Sequence, residues 1–443
     1  RTSQEQWSHE LQLSGSLADY GVQYIAGLFY FDEDAWDDYG DTLVHRFDTL
    51  VAPNELQPLI ALNPELAALL LDNVSPRIVN FAGGQNDVAN ESVAAYGQAT
   101  WSPDLFDRRL HLTFGYRHTE DKREAIKSWV SPTYLEVVPG EGPAVLLMEA
   151  EVFDNVRGYN EFRNDSYAFI TAYDLTDDIN LYAKYVEAYR SGGFDIRDPQ
   201  ISGDSGPASD GIDYGFGFVE GFKPEYVASY EAGMKSEWLD RRLRVNLNLF
   251  HMDQTDRQIS ALISGAISDT KTRNVGKSRT RGIELDTLFA LTGSITLLAE
   301  YSFLDAETLE VLDIDGNNVA ENYQPYSAPE HSGVAAIDWS ILEADWGNVA
   351  AFVSASYMAE RKGQTLPGHA GQTRLEPYTV YNARLGLNSV RFGRGLLDMT
   401  VWGRNLSDKE YSIAAIDNLP HADRSVLWAE PRTLGLDLTY RWD

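Results

Sequence analysis

The stretch Arg242-Leu-Arg-Val-Asn-Leu-Asn-Leu-Phe250 puts Leu243, Val245, Leu247 and Leu249 on one face of an extended chain and Arg244, Asn246 and Asn248 on the other. Strict period two over that length is a β-strand with one apolar and one polar face. The C-terminal residues repeat it, with Leu434, Leu436, Leu438, Tyr440 and Trp442 alternating with Thr433, Gly435, Asp437, Thr439 and Arg441. The same alternation runs through Leu110 to Tyr116, Ile283 to Phe289, Ile295 to Phe303 and Val349 to Ala355. Extended outward, the pattern predicts about fifteen long antiparallel strands, near 8–17, 21–34, 88–103, 109–130, 160–176, 180–194, 227–240, 241–262, 271–291, 294–310, 330–342, 346–364, 378–392, 395–411 and 431–443.

The connections carry the next step. Tight links at 104–108, 177–178, 239–241, 292–293, 343–345 and 393–394 alternate with long ones near 35–87, 131–159, 195–226, 263–270, 311–329, 365–377 and 412–430. All tight turns therefore lie at one end of the sheet and all long loops at the other, the arrangement of an outer-membrane barrel with short periplasmic turns and long extracellular loops. In a bilayer the apolar face must point to lipid, leaving Arg244, Asn246, Asn248, Glu284, Asp286, Asp398 and Arg404 to line a wet lumen. Those charges are too many for a packed soluble core.

Composition agrees. The chain has 443 residues, 36 Lys+Arg against 67 Asp+Glu and a net charge of -31, which excludes a general nucleic-acid binder. There is no cysteine, hence no disulfide framework, thiolate metal site or cysteine nucleophile. No run approaches the roughly 18 apolar residues of a membrane helix. The opening Arg-Thr-Ser-Gln-Glu-Gln-Trp lacks the charge and apolar core of a signal peptide. Acidity concentrates in 32–41, 195–226 and 305–325, all assigned to the long-loop side. It disfavours a highly anionic ligand unless rim arginines or divalent cations offset it, and it fits a surface bridged to lipopolysaccharide by divalent ions.

Motifs for other chemistry fail. Gly276-Lys277-Ser278 lacks the leading glycine of a phosphate loop, and Asp313-Ile-Asp-Gly-Asn reads as a hairpin turn rather than a calcium loop. The eight histidines show no metal-ligand spacing and no nucleophile elbow. No enzyme, cofactor or resident metal is expected.

Several ordered segments resemble TonB-dependent outer-membrane receptors. They are Phe222-Lys-Pro-Glu-Tyr-Val-Ala-Ser-Tyr-Glu-Ala-Gly-Met-Lys with the strand that follows, Asn274-Val-Gly-Lys-Ser-Arg-Thr-Arg-Gly-Ile-Glu-Leu, Asn405-Leu-Ser-Asp-Lys-Glu-Tyr and Pro431-Arg-Thr-Leu-Gly-Leu-Asp-Leu. Tyr189-Arg-Ser-Gly-Gly-Phe and Ser8-His-Glu-Leu-Gln-Leu agree with them. The resemblance implies part of a barrel of roughly twenty-two strands filled by an N-terminal plug. Counted back from the last strand, the first strand here is roughly the eighth and runs downward, which again puts 35–87 outside the cell. Residues 1–443 then form a partial barrel domain with the plug, the TonB box and the first strands absent. Unsatisfied strand edges or distorted closure should follow. The family often ends in an aromatic; either Trp442 takes that place or the chain continues past Asp443.

The resemblance further implies a Gram-negative outer-membrane location, TonB-complex coupling through the missing N-terminal region, and lipid and lipopolysaccharide as surroundings. The cargo it implies is a ferric siderophore or similar small iron complex. A non-iron ligand such as an oligosaccharide or cobalamin, a non-transporting adhesin or phage-docking barrel, and a soluble secreted β-protein are the alternatives. At the outer rim Arg190 and Arg197 could hold carboxylate or catecholate oxygens. Trp36, Tyr39, Trp129, Tyr134, Tyr214, Phe216, Phe218, Tyr323 and Tyr326 divide between an interfacial girdle and ligand stacking. Of these Trp36, Tyr39, Tyr214, Phe216, Tyr323 and Tyr326 join the two arginines as candidate ligand contacts. Glu231 and Lys235 form a lumen-facing pair, and the run after Pro64 reads as a short helical cover in the longest external loop.

Overall fold

The computed structural model describes residues 1–46, 77–130, 133–136, 145–148, 152–196, 198, 200–203, 217–262, 270–311, 317–323, 325–363, 373–418 and 423–442. Fifteen long strands make the body. They are β1 Thr2–Leu17, β2 Val22–Arg46, β3 Arg77–Trp101, β4 Leu110–Val130, β5 Val152–Thr176, β6 Ile179–Arg190, β7 Glu225–Trp238 and β8 Leu243–Leu262. They continue with β9 Thr270–Ala290, β10 Ile295–Glu310, β11 His331–Ala344, β12 Gly347–Met358, β13 Tyr378–Phe392, β14 Gly395–Arg404 and β15 Thr433–Trp442. Each pairs antiparallel with its sequence neighbour in one continuous meander. Among the described residues β1 pairs only with β2, and β15 only with β14.

The odd-to-even links are the tight ones throughout, closing at 18–21, 102–109, 177–178, 239–242, 291–294, 345–346 and 393–394. Gly393 sits at φ 61 in the last of these, a left-handed conformation that suits glycine in a two-residue hairpin. Leu239, Asp240 and Arg241 all adopt positive φ (55, 57 and 64), a strained turn carried by residues with side chains.

The two faces separate as the alternation requires. Leu249, Leu385 and Leu438 are 45%, 51% and 61% exposed on the apolar face, where a soluble barrel would bury them. Aromatic rings run across that face in register: Phe114 on Phe169 at 5.1 Å, Tyr116 on Tyr167 at 5.4 Å and Tyr185 on Tyr230 at 5.0 Å. Going toward the long-loop side, the same face turns charged at Asp32 on β2, His118 on β4, Asp165 on β5, Arg281 on β9 and Asp305 on β10. At that line Tyr116 donates to Asp165 at 2.6 Å and Tyr30 to Asp32 at 3.3 Å. Amphipathic rings with hydroxyls raised into a polar layer are an interfacial girdle, so this line is the outer edge of the hydrocarbon.

Several boundaries differ from the sequence expectation: β1 begins at Thr2 rather than near 8, β5 at Val152 rather than near 160, and β12 ends at Met358 rather than near 364. Residues 35–46 and 77–87 are not loop: β2 and β3 stay in unbroken register from Val22↔Trp101 to Arg46↔Arg77. The polarity that suggested a loop marks the membrane boundary, while backbone pairing continues above it. β14 ends at Arg404 rather than near 411, because Asn405 takes φ 48 and its side chain closes a turn with Lys409 and Glu430. The helix expected after Pro64 and the turn at 313–317, apart from Asn317, lie outside the described residues.

Candidate functional site

The polar face carries cross-strand pairs. Tyr182 donates to Asn248 at 3.1 Å, Asn248 to Glu284 at 3.1 Å, and Asn246 to Asp286 at 3.1 Å. Lys184 meets Glu231 at 2.8 Å, and Arg441 meets Asp398 at 2.6 Å. A hollow of about 540 Å³ lies along this face, reaching from Lys235 and Glu284 up to Met358 and Tyr378. A second, of about 690 Å³, lies beside Arg117, Asp121, Arg123 and Arg190.

Above the hollows the described residues between β6 and β7 fold back as a strap. Gly193 and Phe222 exchange backbone bonds at 3.1 and 2.9 Å, and Phe218 donates its N–H to Gln200 at 2.8 Å. At one end Lys127 of β4 donates to the Asp198 carbonyl at 2.5 Å and Arg123 to Ser191 at 3.0 Å. At the other, Lys271 of β9 meets the Asp198 carboxylate at 3.4 Å and Gln200 at 2.9 Å, while Thr272 donates to Asp195 at 2.8 Å. The strap thus ties β4 to β9 across the two hairpin-linked pairs between them. Its seat is a small apolar core of Ala125, Trp129, Phe153 and Phe218. The Lys127 ammonium stands 3.9 Å from the Phe153 ring centre, with Trp129 and Phe218 at 5.5 and 5.7 Å. Aromatic faces and a carbonyl replace water around a cation buried to 1% exposure. Burial pushes the Asp198 carboxyl up to about 6, against the lowering pull of Lys271.

An exposed apolar outer face, a hydrogen-bonded polar inner face and a tied-down mouth on the long-loop side are on one sheet. The sequence profile described as TonB dependent receptor-like, beta-barrel, matches residues 2–406. The chain belongs to this family. It is an outer-membrane barrel of the TonB-dependent receptors, a family of transport receptors rather than enzymes. The metal-pseudopaline receptor CntO of Pseudomonas aeruginosa is 26% identical over 228 residues, 50% of this chain and 28% of that protein. The ferric-pyoverdine M114 receptor PbuA of a Pseudomonas species is 27% identical over 252 residues, 54% of this chain and 25% of the relative. The match thus spans about a quarter of the length of these relatives. The ferric yersiniabactin uptake receptor FyuA from Yersinia pestis superposes over 99% of this chain and 54% of its own at a TM-score of 0.67, with 16% identity, which speaks for the fold alone.

In this TonB-dependent receptor barrel the expected rim residues scatter. Arg190 ends β6 with a largely exposed guanidinium 3.8 Å from Glu225. Arg197, Tyr214 and Phe216 lie outside the described residues, and Tyr39 is described only as backbone of β2. Trp36 lies on β2 with the parity of Tyr30 and Asp32, on the outer face. Tyr323 accepts a bond from Arg273 at 2.6 Å, whereas Tyr326 is 57% exposed beside Ser327, which bonds to Lys362. Glu231 and Lys235 share a face without meeting: Glu231 is held by Lys184, and Lys235 lies 5.9 Å from the Tyr182 ring. Four residues along a strand separate them by about 13 Å.

Trp129 and Phe218, placed by sequence among girdle or stacking residues, are instead buried in the seat of the strap, at 9% and 0% exposure. Sequence reasoning missed Lys127, Lys271 and Asp198 altogether. Each lies in a stretch of mixed charge, and only the fold-back of the strap gathers them. Among the described residues no group of three or more His, Asp and Glu is placed to hold a metal ion.

Proposed function

We propose that these residues form the transport barrel of a receptor that takes a small metal complex, a ferric siderophore first, across the Gram-negative outer membrane. Energy would come from the TonB complex, acting on a plug supplied by sequence outside these residues. The observation that carries the proposal is a wet, charge-lined lumen with a strapped mouth inside a membrane barrel of this family. The free outer edges of β1 and β15 support a partial barrel domain completed by further strands. Surrounding lipid and lipopolysaccharide belong to the same proposal. The aromatic girdle supplies the lipid contact, and the acidic residues above it suit divalent bridging to lipopolysaccharide.

A metal other than iron is the second reading, since CntO is described as a receptor for metal-pseudopaline. Uptake of radiolabelled ferric siderophores by cells expressing the full-length receptor, with and without TonB, tests the first. TonB-dependent accumulation of one complex is expected. Accumulation only of a nickel, zinc or copper chelate would favour the second reading, and equal uptake without TonB would contradict both.

A further inference from the structure

Arg361 stands out in a chain whose charge is -31. It is 7% exposed, yet among the described residues no carboxylate lies within ion-pair distance, and its Nη1 has no hydrogen-bond partner. The neighbouring Glu360 is taken by Arg374 at 3.2 Å. Arg361 Nη2 reaches only the carbonyls of Ser412 and Ile413, at 3.4 and 3.2 Å. Those distances are long beside the roughly 2.7–2.9 Å of a charge-assisted bond. A guanidinium held this loosely, out of water and without a counter-charge, is costly unless something anionic meets it.

The surroundings favour such a partner. Lys362 follows directly, and burial together with the Arg374 charge holds its ammonium below the ordinary lysine range. Arg374 presses on Lys362 while Glu360 pulls the other way, and Arg361, Lys362 and Arg374 outnumber Glu360 at this place. Beside the guanidinium, Tyr378 and Tyr411 stack at 4.0 Å, with Arg361 5.6 Å from the Tyr378 ring centre. Tyr378 spends its hydroxyl on the sulfur of Met358 at 3.5 Å, a weak acceptor, and Tyr378 and Met358 both line the upper end of the 540 Å³ hollow. A flat aromatic wall, a phenol with donor capacity and an uncompensated planar cation meet at one place. Planar two-pronged donors match carboxylates, and aromatic walls accept a carbon skeleton.

We infer that Arg361, walled by Tyr378 and Tyr411, receives a carboxylate of the transported complex, so that the receptor selects carboxylate-bearing chelates over neutral ones. This rests on the uptake reading above but is tested without transport. The full-length receptor, purified in detergent, is titrated with citrate, ferric citrate, inorganic phosphate and an uncharged ferric trihydroxamate, and bound ligand is measured directly. Arg361→Gln should weaken citrate and ferric citrate by about ten-fold or more. Arg361→Lys should recover part of that. Phosphate and the trihydroxamate should bind weakly in every variant. Unaltered citrate binding in a folded Arg361→Gln receptor, or phosphate binding as tight as citrate, would overturn the inference. Loss of uptake with carboxylate binding intact would instead count against the transport reading alone.

Discussion

Lys127 and Lys271 both end on Asp198 beneath the strap, the first at its backbone carbonyl and the second at its carboxylate, and the ionisation of that carboxylate bears on docking. Its pKa rises on docking from 3.8 to about 6, with burial as the largest cause. A group raised in the docked state favours docking fully below its undocked pKa and loses that contribution as pH climbs through the docked value. The window is therefore pH 4 to 6, and two units correspond to about 3 kcal/mol. Amide exchange over 217–222, corrected for intrinsic rates, should slow as pH falls from 7 to 5. Asp198→Asn should flatten that dependence, and a strap that loosens on acidification would contradict the assignment. Tyr411, at the other side of the mouth, has its phenol raised chiefly by burial and stays neutral throughout this range.

At the scale of the strand, the alternation in β8 makes opposite predictions for neighbouring residues. Leu247 faces lipid between Val245 and Leu249, and Leu247→Arg should destabilise the barrel by about 2–4 kcal/mol in denaturant unfolding from lipid. Asn246→Arg, one residue away on the lumen side, should cost little, because Asp286 is already a hydrogen-bond partner there. Equal costs would mean that the two faces are not in different solvents. This alternation is also why so much of the architecture was legible in sequence. Period two located the strands, and the short and long links oriented them, because each is a local property of the chain. The outer ends of β2 and β3 were not legible, since Asp32, Asp34 and Asp38 break the apolar pattern while backbone pairing continues. The seat of the strap was hidden for a different reason. Lys127, Asp198, Phe218 and Lys271 are far apart in the chain, and no periodicity links them. Arg361 gave no signal either, because its missing counter-charge is visible only when its neighbours are known.

For the whole molecule, the net charge of -31 and the exposed leucines have one explanation. The apolar surface belongs to the membrane, and the acids divide between a wet lumen and the strands and loops above the girdle. The mouth is accordingly an acidic rim that encloses buried cations, Lys127 and Lys271 under the strap and Arg361 beside Tyr378. All of this depends on which face looks at lipid. The absence of cysteine from these 443 residues allows the direct measurement: single cysteines at Leu247 and Asn248, spin-labelled in the full-length receptor with any cysteine outside these residues replaced and reconstituted in lipid, with collision rates measured for oxygen and for a water-soluble nickel chelate. The label at 247 should meet oxygen and be shielded from nickel, with the label at 248 showing the reverse preference. Nickel access at 247 with oxygen preferred at 248 would contradict the account.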